Sequence, residues 1–123
     1  PESSLMVDQL FPADFSAWRA SLPAGAPAPI VLDVREPWEV QTASVKEDGF
    51  RLLHIPMRAV PARIFDLKEQ LPADQPVACL CHHGMRSLQV AHYLEQNGFT
   101  QVVNLQGGIQ AWSQQRDASV PQY

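Results

Sequence analysis

The stretch Val77-Ala78-Cys79-Leu80-Cys81-His82-His83-Gly84-Met85-Arg86-Ser87 sets both the fold and the chemistry of this chain. A short apolar run ends on a cysteine, a tight loop holding Gly84 follows, and a helix-patterned stretch opens at Ser87. A thiol therefore stands where a strand ends and a helix begins, with Arg86 beside it. Backbone N–H groups in such a loop converge on one point, and the helix N-terminus adds partial positive charge. Both effects favour thiolate over thiol. The segment reads as an anion-binding loop with a nucleophilic sulfur in it.

Outward from this loop the pattern alternates strand and helix. Upstream, a short edge strand is expected over residues 5–10 and a helix over 12–22, with Phe15, Trp18 and Leu22 on one side. Residues 30–34 form a continuous apolar run ended by charge, as in a buried strand. A helix is expected from Glu36 to Ala43, with Pro37 early, where proline is tolerated. Next come a strand over 52–55, a helix over 60–71 carrying Ile64, Leu67 and Leu71, and the strand 77–80. The helix over 87–97 places Val90, Ala91 and Leu94 on one face and stops at Gly98, which accepts the left-handed conformation. A last strand covers 102–105, and Gly107-Gly108 leads into a short helix through Trp112. Strands separated by helices imply a parallel sheet covered on both faces. In such sheets sites form beyond the carboxyl ends of strands. Two of these ends carry chemistry: Asp33-Val34-Arg35-Glu36 and the Cys81 loop.

The 123 residues fit one domain (1–123), with a core over about 5–115 and a tail over 117–123 that lacks periodicity and either frays or docks Val120 and Tyr123 on the body. The proline-rich stretch 23–29 is a loop within it. At 46% hydrophobic and 18% charged residues the composition is that of a globular protein, and a net charge of −4 argues against a nucleic-acid-binding surface. No apolar run approaches the roughly 18 residues of a membrane span, and no signal-peptide pattern opens the chain. The chain starts Pro-Glu-Ser-Ser without Met, as a processed or excised sequence would. Its two cysteines, Cys79 and Cys81, are one residue apart on an extended strand, ~6.5–7 Å from each other on one side. A disulfide between them would be strained. Both read as reduced, which suits the cytoplasm.

Four segments in order resemble the rhodanese-like sulfurtransferases: Leu32-Asp33-Val34-Arg35-Glu36-Pro37-Trp38-Glu39; His54-Ile55-Pro56, with Leu53 where the family tends to carry glycine; the Cys81–Ser87 loop in the form Cys-x-x-Gly-x-Arg-Ser; and Asn104-Leu105-x-Gly107-Gly108-Ile109-x-Ala111-Trp112. The resemblance implies an α/β three-layer sandwich with a five-stranded, mainly parallel sheet flanked by helices on both faces. It implies that Cys81 takes sulfane sulfur from a donor such as thiosulfate and passes it from a persulfide to cyanide or a thiol. A protein-bound sulfur carrier would be a further partner. No metal, nucleotide or organic cofactor is expected.

Within that reading Cys81 is the nucleophile, and His82, His83, Gly84, Met85, Arg86 and Ser87 form the substrate-binding loop. The alternative for Cys81, a buried structural thiol, is outweighed by the glycine loop, the adjacent arginine and the following helix. Cys79, among apolar neighbours, packs in the core, with a resolving-thiol role as the lesser alternative. Arg86 either binds an anionic donor or makes a structural ion pair with Asp33 or Glu36. Ser87 is expected to cap the helix, with its hydroxyl reaching the sulfur as the lesser alternative. His82 and His83 are read as solvent-facing residues shaping the site, or as sources of positive potential. Asp33 and Arg35 are supporting strand-end groups, and Arg35 is close enough to the loop to be considered for substrate contact. Trp38, Phe65 and Trp112 are assigned to core or pocket wall. The crowding of Cys79, Cys81, His82 and His83 lacks the separated pairs of a zinc site. Gly107-Gly108 is not a dinucleotide fingerprint. Three other functions compete with this one: a cysteine phosphatase or arsenate reductase, a non-catalytic binding or regulatory module, and a relay to a protein partner. The four residues between Cys81 and Arg86, one fewer than in the phosphatase loops, argue against the first.

Overall fold

The computed structural model describes residues 7–123. Five strands, β1 (Asp8–Leu10), β2 (Ile30–Asp33), β3 (Arg51–His54), β4 (Val77–Leu80) and β5 (Val102–Leu105), alternate with five helices. The helices are α1 (Phe15–Ala20), α2 (Pro37–Thr42), α3 (Val60–Gln70), α4 (Met85–Gln96) and α5 (Gly108–Gln115). Short 3-10 turns, Pro12–Asp14 and Met57–Ala59, lead into α1 and α3. The sheet order is β1-β5-β4-β2-β3, and every pairing in it is parallel. The expected edge strand is present as β1; the part of that expectation falling on Leu5 and Met6 lies outside the described residues.

The period of two along a strand sends alternate side chains to opposite faces, and both faces are apolar. Ile30, Leu32, Val77 and Cys79 pack with Ile64, Leu67, Val90 and Leu94, which places α3 and α4 on one face. Val31, Ala78, Leu80, Val103 and Leu105 pack with Phe15, Phe50, Ile109 and Trp112 on the other. There Phe15, Phe50 and Trp112 meet edge-on at 5.3–5.7 Å between ring centroids, an arrangement the ring quadrupoles favour. The tail docks through Val120, which is buried in this second cluster, and Ser113 Oγ donates to the Val120 carbonyl at 2.6 Å.

Two aromatic residues differ from the sequence expectation. Phe65 is 75 % exposed, because the buried stripe of α3 runs through Val60, Ile64 and Leu67 and Phe65 falls one position off it. Trp38 is 61 % exposed and touches only the edge of Tyr123, with centroids 6.1 Å apart. Trp112 is in the core, as expected.

The register leaves the carboxyl ends of β2 and β4 adjacent, with Asp33 paired to Leu80. The segment after β4 then meets the N-terminus of α5. Ile109 N–H donates to the Cys81 carbonyl at 2.8 Å and Gln110 N–H to the His82 carbonyl at 3.2 Å. This approach needs glycine at 108: its φ is +61°, and a Cβ there would collide with both carbonyl oxygens. Gly108→Ala is expected to lower stability by at least about 2 kcal/mol, through strain and a displaced Cys81 loop. Urea unfolding of the variant against wild type checks this.

Candidate active site

Gly84, at φ +102°, turns the chain after Cys81-His82-His83, and α4 starts immediately at Met85. The helix therefore opens two residues earlier than the sequence suggested. Gly84, not Ser87, occupies the capping position, and its carbonyl accepts the first helical bond from Leu88 N–H at 3.2 Å. Nothing in Met85-Arg86 opposes helix, so the turn residue sets the boundary. Met85 itself is exposed.

The Cys81 sulfur is buried at 1 % exposure. It receives the Gly84 N–H at 3.0 Å, and Ser87 Oγ lies 3.3 Å away. Ser87 is freed from capping and works sideways. Its hydroxyl donates to Asn104 Oδ1 at 2.6 Å, which leaves the oxygen lone pairs toward the sulfur. A Cys81 thiol can then donate to Ser87 Oγ, whereas a thiolate competes for the one hydroxyl proton. Asn104, at the end of β5, holds this arrangement by donating from Nδ2 to the Gly84 carbonyl at 3.1 Å and to Gln9 Oε1 at 2.8 Å. Asn104 carries no role in the sequence reading; its place in the fourth family-like segment is the signal that could have found it.

Arg86 does not pair with Asp33 or Glu36. Both oxygens of Asp33 are taken by Arg35, at 2.7–3.2 Å, and Glu36 turns outward to Arg58 at 3.1 Å. The partner is Glu39, in the first turn of α2, whose two oxygens accept from Arg86 Nη1 and Nη2 at 2.7 and 2.9 Å. Glu39 also accepts from the Glu36 N–H at 3.0 Å and from the Tyr123 hydroxyl at 2.7 Å. Arg86 is thus a fork joining the start of α4 to α2. The Arg86 contact holds Glu39 at about 2 despite burial, which pushes the other way; the Tyr123 and Glu36 bonds add to the lowering. Arg86 is raised above its ordinary value, chiefly by the same carboxylate.

Arg35 is wholly buried. Besides Asp33 it donates to the carbonyls of Glu39 (3.2 Å) and Ala43 (2.8 Å) and to the Tyr123 oxygen (3.0 Å). Every direction of its fork is occupied by these partners, so it braces the segment after β2. Burial alone would lower its affinity for the proton, but Asp33 outweighs that and the net shift is upward. His54 Nε2–H donates to the Arg35 carbonyl at 2.7 Å, tying β3 to the same segment.

The two loop histidines differ. His83 is exposed, but its ring stacks on His82 at 3.9 Å, and His82 stacks in turn on Tyr123 at 3.9 Å with planes 7° apart. Burial, then the neighbouring His83, lowers the His82 pKa below its ordinary value and so disfavours the charged ring. Cys79 is a core residue. Burial first, then Cys81, pushes its thiol far up. Among the described residues no group of three or more His, Cys, Asp and Glu side chains is placed to hold a metal ion, and no helix is long and apolar enough to cross a membrane.

Comparisons with known proteins agree with this geometry. The family model for the rhodanese-like domain matches residues 16–115. The chain is 40% identical over 93 residues to the Rhodanese-like/PpiC domain-containing protein 12, chloroplastic, of Arabidopsis thaliana; the match covers 76% of this chain and 30% of that protein. It is 34% identical over 82 residues to the thiosulfate sulfurtransferase GlpE of Vibrio cholerae, covering 67% of this chain and 70% of the relative. The crystal structure of a rhodanese-related protein from Thermoplasma volcanium superposes with a TM-score of 0.70 at 28% identity, covering 94% of this chain and 99% of that one.

The Glu39 geometry has a pH consequence. A carboxylate whose folded-state pKa is depressed contributes stability that is complete above its ordinary value of 4.5 and is lost as pH falls through about 2. The contribution is about 2–3 kcal/mol at neutral pH. Urea unfolding at a series of pH values is expected to show this loss between about pH 4.5 and 2. In Glu39→Gln that part of the acid limb flattens.

Proposed function

The chain belongs to the rhodanese-like domain family, and from that premise we propose that it is a sulfurtransferase working through a persulfide on Cys81, carried by a single domain over 1–123. The observation that carries the proposal is the buried Cys81 sulfur at the carboxyl end of β4, facing the Gly84 N–H at 3.0 Å. A donor N–H aimed at sulfur stabilises the anionic forms needed before and after transfer.

The cycle needs two displacements. The Cys81 thiolate attacks the outer sulfur of a sulfane donor such as thiosulfate. The new S–S bond forms as the old one breaks, and sulfite leaves with the bonding pair. An acceptor thiolate or cyanide then attacks the outer sulfur of the Cys81 persulfide, and Cys81 departs as thiolate. Each step balances in atoms and electrons without a cofactor. The activity named for the Vibrio cholerae relative supports thiosulfate as donor. His82, His83, Gly84, Met85, Arg86 and Ser87 frame the loop, with Asp33 and Arg35 beneath the neighbouring segment. Arg86 acts by fixing the loop through Glu39 rather than by gripping the donor. Two free, reduced cysteines suit the cytoplasm, and a thiol on a small molecule or on a protein carrier is the expected acceptor.

The competing reading, a rhodanese-like binding or regulatory module without turnover, predicts no sulfur on Cys81. Incubation with thiosulfate is expected to add ~32 Da, one sulfur atom on a reactive thiolate, in a reductant-sensitive form seen by intact mass. Cys81→Ala should lose the gain while melting like wild type. Loading that persists in Cys81→Ala would overturn the assignment.

A further inference from the structure

The cationic groups around the Cys81 loop are already matched. Arg86 gives both fork nitrogens to Glu39. Arg35 is consumed by Asp33 and by three further oxygens. Arg58 pairs with Glu36. Burial disfavours the charged form of His82, whose ring is stacked between His83 and Tyr123. Glu39 cannot swing away from Arg86 without also leaving the Tyr123 hydroxyl and the Glu36 N–H. Tyr123 is itself held by stacking on His82. The site thus presents the Gly84 N–H to sulfur but no unpaired guanidinium, and a doubly charged donor approaching a Cys81 thiolate meets repulsion that no free arginine offsets.

We propose that Glu39, held in place by Tyr123, is a specificity-determining residue: by neutralising Arg86 it makes the Cys81 site select singly charged sulfane donors, of the organic thiosulfonate kind, over the thiosulfate dianion. This rests on the sulfurtransferase reading above. The loading step is the same for both donors. The Cys81 thiolate bonds to the outer sulfur, the bond from that sulfur to the oxidised sulfur breaks, and the latter leaves with the electron pair as sulfinate or sulfite. Total charge is conserved in each case, so the donors differ in the charge brought beside Arg86 and Glu39 and in leaving group. The intrinsic leaving-group difference is common to wild type and variants and cancels when their donor ratios are compared.

The test is single-turnover loading of the full chain with benzenethiosulfonate and with thiosulfate, followed by intact mass. It compares wild type, Glu39→Gln, Glu39→Asp and the double variant Glu39→Gln/Arg86→Gln. Freeing the Arg86 charge in Glu39→Gln should raise thiosulfate loading about tenfold and benzenethiosulfonate loading about threefold, the dianion gaining more from one uncompensated cation. The donor ratio moves about threefold toward thiosulfate. Glu39→Asp keeps the charge and the wild-type ratio. The double variant, neutral at both positions, returns to the wild-type ratio; a merely structural role for the pair does not produce the shift in Glu39→Gln together with this return. An unchanged ratio in Glu39→Gln, or equal losses with both donors, overturns the proposal. If Glu39→Gln does not fold, the double variant decides: a selective loss of thiosulfate loading there means that Arg86 binds the dianion directly and the proposal is wrong. Absence of loading by either donor in wild type overturns the sulfurtransferase reading itself, and this inference with it.

Discussion

One carboxylate, that of Glu39, joins three separate parts of the chain at the edge of the Cys81 loop. It accepts both fork nitrogens of Arg86 at the start of α4, the hydroxyl of Tyr123 from the tail and a backbone N–H at the start of α2. A buried carboxylate with one partner is expensive, because desolvation consumes most of the attraction. A buried carboxylate with four donors is stable and directional, since each lone pair has an assigned hydrogen. The geometry of the site follows from that count. Arg86 cannot turn inward, α4 cannot slide against α2, and Tyr123 is brought to the position where its ring covers His82.

The loop is fixed from its other side by backbone rather than charge. Two N–H groups from the first turn of α5 meet the carbonyls of Cys81 and His82, at a distance that only Gly108 allows. Asn104 closes the remaining side through the Gly84 carbonyl and the Ser87 hydroxyl. With the outward carbonyls satisfied by α5 and Asn104, the Gly84 N–H is free to point at sulfur. The direction of that one donor is thus a consequence of two helices and a strand end. None of the six loop residues could impose it alone.

Much of this was legible in the sequence, for identifiable reasons. Alternating apolar runs and periodic helices located β2, β3, β4 and β5 to within a residue, β2 and β4 most directly because they are buried on both faces and read as unbroken apolar segments. Cys81 stood out because loop, arginine and helix follow it directly. What could not be read were the long-range pairings. The pattern pairs Arg86 with Asp33 or Glu36, and its actual partner, Glu39, depends on which carboxylates other arginines consume, a question of three-dimensional position. Tyr123 lies 84 residues from Glu39 and follows an aperiodic tail. Ser87 illustrates competition: its type favours a helix cap, but Asn104 claims its hydroxyl, and Gly84 takes the turn. Phe65 shows the limit of periodicity, since a one-position shift in phase moves a large aromatic from core to surface.

The two cysteines make the division of labour plain. They are separated by one residue, Cys79 in β4 and Cys81 just past its end, and both pack into the core cluster on the same face of the sheet. Their surroundings supply the difference. Cys79 sits between strands with apolar neighbours, and burial keeps it protonated. Cys81 lies one step beyond the strand, where the loop supplies a donor N–H and a hydroxyl. A protonated, enclosed Cys79 is no nucleophile toward a sulfur carried by Cys81, and a disulfide between i and i+2 on an extended strand would be strained. On the persulfide reading the outer sulfur has no internal thiol to which it can be lost. It must pass to an external acceptor.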